Sequence, residues 1–184
     1  MEIVLISGKA EAGKTTAANL LKKFLELDGK RVAKVAYADY LKSMAKSFYN
    51  WNGEKDDAGR ALLQRLGTDI IREKDPDFWV HVMIQTVHAL RDEFDVVIID
   101  DVRFPNEITA WEDVFIRPIV FRIERPGYEN HLSPEQRMHP SETALDDWHW
   151  RHFDDVIYNY STLDALKVKI TFSYTAAHRN RSNN

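Results

Sequence analysis

The stretch Gly8-Lys9-Ala10-Glu11-Ala12-Gly13-Lys14-Thr15-Thr16 decides how the rest of the chain must fold. Gly8, Gly13, Lys14 and Thr15 fit the spacing G-x-x-x-x-G-K-[ST], a loop whose backbone N–H groups cradle phosphates. Just before it, Ile3-Val4-Leu5-Ile6 is a short apolar run suited to a strand buried on both faces. Just after it, Ala17, Leu20, Leu21, Phe24 and Leu27 recur at helical spacing and make one apolar face. Strand, glycine loop and helix, in that order, are the context the motif needs. The glycines let the backbone come close to an anion, and the positive end of the following helix favours the same charge. Lys14 can then reach the outer phosphates of a nucleotide, and Thr15 can offer its hydroxyl to Mg²⁺. The nucleotide contacts expected here are Gly8, Ala10, Ala12, Gly13, Lys14, Thr15 and Thr16.

Working outward, strand and helix signals alternate. Arg31 to Tyr37 reads as a second strand, and Tyr40 to Phe48 as a helix with Leu41, Met44, Ala45 and Phe48 on one face. Another helix opens at Asp57 or Ala58, with Gly67 interrupting its apolar stripe, which points to close packing or a break. Asp75-Pro76 is a helix start, cap then first-turn proline. Val96-Val97-Ile98-Ile99, Ile119 to Ile123 and Val156 to Tyr158 are further strands, and Ser161 is placed to cap a final helix. Such alternation predicts an α/β fold with five parallel strands and helices on both faces, the phosphate loop following the first strand. Residues 1–174 are expected to form one P-loop domain, and 175–184 a polar tail that frays from His178 onward.

Composition narrows the class of function. The chain has 184 residues, 44% hydrophobic and 29% charged, enough to bury about 70% of its extended surface in one domain. A net charge of −4 gives no electrostatic drive toward nucleic-acid polymers or anionic membranes. Cysteine is absent, which excludes disulfides and thiolate metal sites and fits a reducing cytoplasm. No apolar run approaches the ~20 residues a membrane span needs. Acidic Glu2 and the phosphate loop stand where a signal peptide would have its charged and apolar regions.

The second apolar run ends in Asp100-Asp101, at the end of the sheet where ligands bind. An acid there is the expected partner of the phosphate loop, holding Mg²⁺ through its hydration shell. Side chains alternate along a strand, so one of the two acids should face the site and the other away. Phosphoryl transfer spreads charge over several oxygens and calls for cations, of which Arg103 lies two residues beyond the acid pair. Arg60, Arg72, Arg122 and Arg125 are weaker candidates, with Arg125-Pro126-Gly127 able to begin a lid. His149 and His152 lack the carboxylate or cysteine partners of a metal site, and the Asn-Lys-x-Asp pattern of GTP switches is missing.

Several segments together resemble the phage-type deoxynucleoside monophosphate kinases. They are Tyr37-Ala38-Asp39-Tyr40-Leu41-Lys42, Trp51 to Lys55, Arg60-Ala61-Leu62-Leu63-Gln64 and Gly67-Thr68-Asp69, then Asp101-Val102-Arg103-Phe104-Pro105-Asn106-Glu107, Arg125-Pro126-Gly127 and His139-Pro140-Ser141-Glu142-Thr143-Ala144-Leu145-Asp146. The resemblance runs from Ile3 to about Leu166. It implies an adenylate-kinase-like P-loop fold, ATP with Mg²⁺ as donor, and transfer of the γ-phosphate to a deoxynucleoside 5′-monophosphate. It also implies that Asp39, Arg60, Gln64, Arg103 and Glu142 face the acceptor, and that Asp101 rather than Asp100 is the metal-side acid, acting through water. Lys14, Arg103 and Arg125 would be catalytic, with Arg125 on a mobile lid at about 125–140. Tyr40 stands where that family usually has proline. Of the nearby aromatics Tyr37, Tyr40, Trp148 and Trp150, Trp148 is the one expected at the acceptor. A cytoplasmic enzyme acting on small nucleotides follows, within the host cell if a phage encodes it, with a homodimer left open. The alternatives are another small-molecule P-loop kinase, acting on dephospho-coenzyme A or phosphomevalonate, and a non-catalytic nucleotide-binding subunit.

Overall fold

The computed structural model describes residues 1–114 and 116–182. Its centre is a five-stranded sheet built from β1 (Glu2–Ser7), β2 (Val32–Val35), β3 (Val96–Val102), β4 (Ile119–Glu124) and β5 (Asp155–Tyr158), in the order β2-β3-β1-β4-β5. All four pairings are parallel, as the near-continuous apolar runs require. Side-chain alternation divides the core in two. Ile3, Leu5, Val97, Ile99 and Val120 point to one face, and Val4, Ile6, Val96, Ile98, Ile119 and Phe121 to the other.

Helices α1 (Lys14–Leu27) and α8 (Leu163–Ser182) cover the second face, where Leu21, Leu25, Leu166 and Ile170 are buried. On the first face lie α2 (Tyr37–Tyr49), α3 (Asp57–Gln64), α4 (Phe78–Leu90) and α5 (Asn106–Asp113). Two short helices, α6 (Pro134–Met138) and α7 (Pro140–Thr143), follow β4 and lead toward β5.

The boundaries depart from the sequence reading at identifiable places. Helix α2 starts at Tyr37, three residues early, because Asp101 accepts the Tyr37 and Ala38 N–H groups and supplies the missing partners of a helix start. Helix α4 starts at Phe78; Asp75 instead closes a turn by accepting the Asp77 N–H. Thr162, not Ser161, caps α8 through the Ala165 N–H. Leu27 and Phe48, placed on apolar faces by periodicity, are exposed. The expectation of a fraying tail fails: α8 continues to Ser182, Tyr174 and Ala177 are buried, and Arg181 pairs with Asp154 at 2.8 Å and donates to the Pro118 carbonyl. Asn183 and Asn184 lie outside the described residues.

Gly67 has both of the roles its position suggested. It lies in a π-helical stretch, Arg65–Arg72, that continues α3 without a gap. A Cβ at Gly67 would come within 2.7 Å of Leu41 Cδ2 on α2, and its carbonyl accepts the Trp79 indole N–H at 2.8 Å. The widened turn and the missing side chain let α2 and α4 close on this segment.

Candidate active site

The phosphate loop leaves β1 at Gly8 (φ 142°) and enters α1 at Gly13 (φ 102°), both in backbone regions that favour glycine. A Cβ at Gly8 would collide with the Ile123 carbonyl of β4, and one at Gly13 would lie 2.5 Å from Asn159 Nδ2. Asn159, just past β5, donates that amide to the Ala12 carbonyl at 2.9 Å. The loop is thus held from behind by two strands remote in sequence. On its outer side a cavity of about 460 Å³ is lined by Gly13, Lys14, Thr15, Thr16, Arg125 and Asn159, with Leu163 and Leu166 as its apolar wall.

A second cavity, about 410 Å³, opens on the other side of the loop between β3, α2, α3 and α7. Arg60, Gln64, Arg103 and Glu142, four of the residues named for the acceptor, line it, and so does Asp101, which was named for the metal. Ala10 borders it too, its N–H donated to Glu142 at 2.8 Å. The same Glu142 oxygen accepts from Arg103 at 2.8 Å, so one carboxylate joins the phosphate loop to the arginine beyond β3. Glu11, Lys14 and Thr15 line both cavities. Lys14 Nζ donates to the Lys9 carbonyl at 2.7 Å, and burial, aided by repulsion from Arg103, pulls its pKa down to about 7. A phosphate between them would reverse both effects.

Two expected acceptor residues are not brought to this cavity. Asp39 turns back on its own helix, accepting the Ala36 N–H and pairing with Lys42, as a residue in the first turn of a helix often does. Trp148 packs partly buried against the first-face core and meets His152 edge to face at 4.7 Å. Of the other aromatics, Tyr37 donates its hydroxyl to the Glu107 carbonyl, and Tyr40 and Trp150 are exposed. Tyr37 and Trp79 line the cavity.

The acid pair departs from strict alternation. Pairing between β1 and β3 slips after Leu5–Ile99, with Ser7 opposite Val102, so β3 carries an extra residue at Asp100-Asp101. Such a bulge turns two consecutive side chains toward one side, and both acids border the second cavity. Asp101 spends its two oxygens on the Tyr37 and Ala38 N–H groups at 2.8 and 2.9 Å, while buried Asp100 faces Lys34 at 3.4 Å.

Residue-by-residue reasoning gave no role to a buried ion pair at the cavity floor. Glu107 receives Arg72 at 2.6 Å on one oxygen and the N–H groups of Arg103 and Phe104 on the other. Arg72 also lies over the Phe104 ring at 3.9 Å. Burial raises Glu107 to about 7 even against the opposing pull of Arg72. The glutamate fixes the turn from which Arg103 projects, and its position four residues after Arg103 was the available signal. Lys42 and Lys55 also line the cavity, and Lys55 is pushed down by burial and then by the nearby Lys42 and Arg60 charges. The cavity concentrates cations in advance of an anionic ligand.

A glycine loop at the carboxyl end of a parallel sheet, with a cation-lined cavity on each side of one lysine, defines a P-loop phosphotransferase. The family profile for deoxynucleotide monophosphate kinases matches residues 31–170, and the chain belongs to that family and is a nucleotide kinase. The match begins after the phosphate loop, so the two lines of evidence rest on different residues. No curated protein matches the chain by sequence. Among solved structures it is similar to the dephospho-CoA kinase from Campylobacter jejuni, at 13% identity, covering 98% of this chain and 100% of that one with a TM-score of 0.55. It is also similar to a sugar kinase from Janibacter, at 13% identity, covering 95% of each chain with a TM-score of 0.51. At that identity the likeness is one of fold, and it agrees with the five-stranded P-loop kinase architecture.

Proposed function

We propose that the 460 Å³ cavity takes ATP, that the 410 Å³ cavity takes a deoxynucleoside 5′-monophosphate, and that the γ-phosphoryl group passes between them at Lys14. The observation that carries this reading is that Lys14 and Thr15 border both cavities, which otherwise draw on different elements. An oxygen of the acceptor phosphate bonds to the γ-phosphorus as the bond to the β–γ bridging oxygen breaks, and ADP leaves. Lys14 and Arg103 neutralise charge growing on the transferred group, Arg60 and Gln64 grip the acceptor, and Arg125 acts from a lid at about 125–140. Glu142 holds Arg103 against the loop.

Mg²⁺ fits the donor set present. Among the described residues no three acidic or imidazole side chains converge on one point, so no all-protein cage competes with a hydrated ion. Mg²⁺ favours phosphates, water, a hydroxyl and one or two carboxylates. Thr15 and Asp101 would hold it through water, with Asp100 adjacent, and it would neutralise phosphate charge. Among the described residues no helix is long and apolar enough to cross a membrane.

The test is coupled ADP release with the four common deoxynucleoside monophosphates, their ribonucleotide counterparts, dephospho-coenzyme A and no acceptor. At least one deoxynucleotide should outperform its ribonucleotide partner by ten- to ~10²-fold in kcat/KM, because Leu41, Leu63 and Trp79 make an apolar wall and such walls reject a hydroxyl weakly. Turnover with dephospho-coenzyme A alone would replace the acceptor, and acceptor-independent release alone would remove the transfer.

A further inference from the structure

An acid inside a phosphate loop is an unexpected choice, since it would repel the ligand the loop attracts. Glu11 is also in the left-handed region, φ 61°, where glycine is the unstrained residue. Its side chain is nevertheless heavily engaged. One carboxylate oxygen accepts from the Tyr128 hydroxyl at 3.2 Å, the His131 N–H at 3.2 Å and His131 Nδ1 at 2.9 Å. The other oxygen faces Arg60 of α3 at 3.7 Å. The Glu11 carbonyl receives Arg125 Nη1 at 3.5 Å, and the Arg125 guanidinium lies 3.7 Å over the Tyr128 ring. His131 also keeps the Glu11 carboxyl below the usual range, so it stays ionised.

Glu11 therefore touches three parts of the molecule from the boundary between the two cavities, both of which it lines. Its charge is drawn away from the loop's inward N–H groups by Tyr128, His131 and Arg60. We propose that Glu11 is a positioning residue that latches the segment Arg125–His131 over the phosphate loop and ties it to Arg60, so that Arg125 is aimed and water is kept out when the phosphoryl group moves. The inference rests on reading the two cavities as donor and acceptor sites. Loss of the latch opens a competing route: a water oxygen bonds to the γ-phosphorus, the β–γ bridging bond breaks, and the proton from water goes to solvent.

Two substitutions separate the side chain from the backbone. Glycine at position 11 suits the left-handed backbone and removes the latch; glutamine keeps an oxygen for Tyr128 and His131 but loses the charge that Arg60 meets. For wild type, Glu11→Gly, Glu11→Gln and Tyr128→Phe, ADP release and deoxynucleoside diphosphate formation are measured separately, together with ATP KM and the thermal melt. Glu11→Gly should lower transfer kcat about tenfold and raise acceptor-independent ADP release severalfold relative to transfer, with the melt unchanged or higher. Glu11→Gln and Tyr128→Phe should fall between that variant and wild type. A Glu11→Gly enzyme with wild-type kcat and one diphosphate per ADP would overturn the proposal. So would a proportional loss of transfer and leak with a raised ATP KM, which would mean that Glu11 only shapes the loop. If wild type makes no deoxynucleoside diphosphate, the two-site reading falls first, and that outcome is distinct from either.

Discussion

The two cavities, proposed as donor and acceptor sites, meet at Glu11, Lys14 and Thr15 yet are built on different principles. The donor side rests on one contiguous stretch, the phosphate loop, shaped by two glycines and braced by Asn159. The acceptor side sets an apolar wall of Leu41, Leu63 and Trp79 against side-chain charges from positions as far apart as Lys42 and Glu142, held by pairs such as Arg72–Glu107 and Arg103–Glu142. A backbone site tolerates changes at its variable positions, whereas a site of interlocked charges loses two groups whenever it loses one.

The sharpest way to break this division is Lys14→Ala, because Lys14 belongs to both sides. It should cut transfer by about 10³-fold while leaving the melting temperature level or raised, since the loss is of transition-state charge and not of apolar packing. Turnover and melt of the purified variant decide it; near-normal turnover would remove the loop from catalysis.

Arg103→Lys tests whether the acceptor side can fail alone. Lysine keeps the charge but not the fork that can hold Glu142 and a phosphate together, so acceptor kcat/KM should fall by ~10²-fold with ATP KM little changed. Equal losses for both substrates would mean that Arg103 serves the donor, and that the two cavities are less separate than their linings suggest.

The smallest effect is a proton. Lys14, with a pKa of about 7 in the unliganded enzyme, is mostly neutral at pH 8, and bound phosphates should restore its charge. Nucleotide binding should take up close to one proton at pH 8 and close to none at pH 6, read by calorimetry in buffers of differing ionisation enthalpy. The same shift makes Lys14 a stability cost that is full below about pH 7 and fades as the pH rises toward its ordinary value of 10.5. Equal uptake at both pH values would mean that Lys14 is charged before phosphate arrives.

What could be read in advance divides along the same line. The five strands and the loop are local patterns, apolar runs and glycine spacing, and the sheet formed from them. Gly67 was legible as an interruption, though not as a π-helical turn against Leu41 and Trp79. Asp39 and Trp148 look like ligands until neighbours are known: the first bonds within its own helix, and the ring of the second packs against the core. Both acids reach the cavity because β3 bulges, and alternation assumes that it does not. The Glu107–Arg72 pair spans 35 positions, and no spacing rule connects them. Helix α5 escaped notice because Ile108 and Trp111 are its few core residues, too short a stripe to mark a period.

The bracing of the phosphate loop has a consequence for how the enzyme comes into being. β1 lies between β3 and β4, so it has no hydrogen-bonded neighbour until nearly a hundred more residues have been added. Gly8 is then seated against Ile123 of β4, and the Ala12 carbonyl waits for Asn159. On a ribosome the motif that binds nucleotide emerges well before the segments that give it its shape. A nascent chain lacking β4 and Asn159 carries the whole glycine signature and no working cradle, so nucleotide acts as a late seal on a nearly complete molecule and not as an early template.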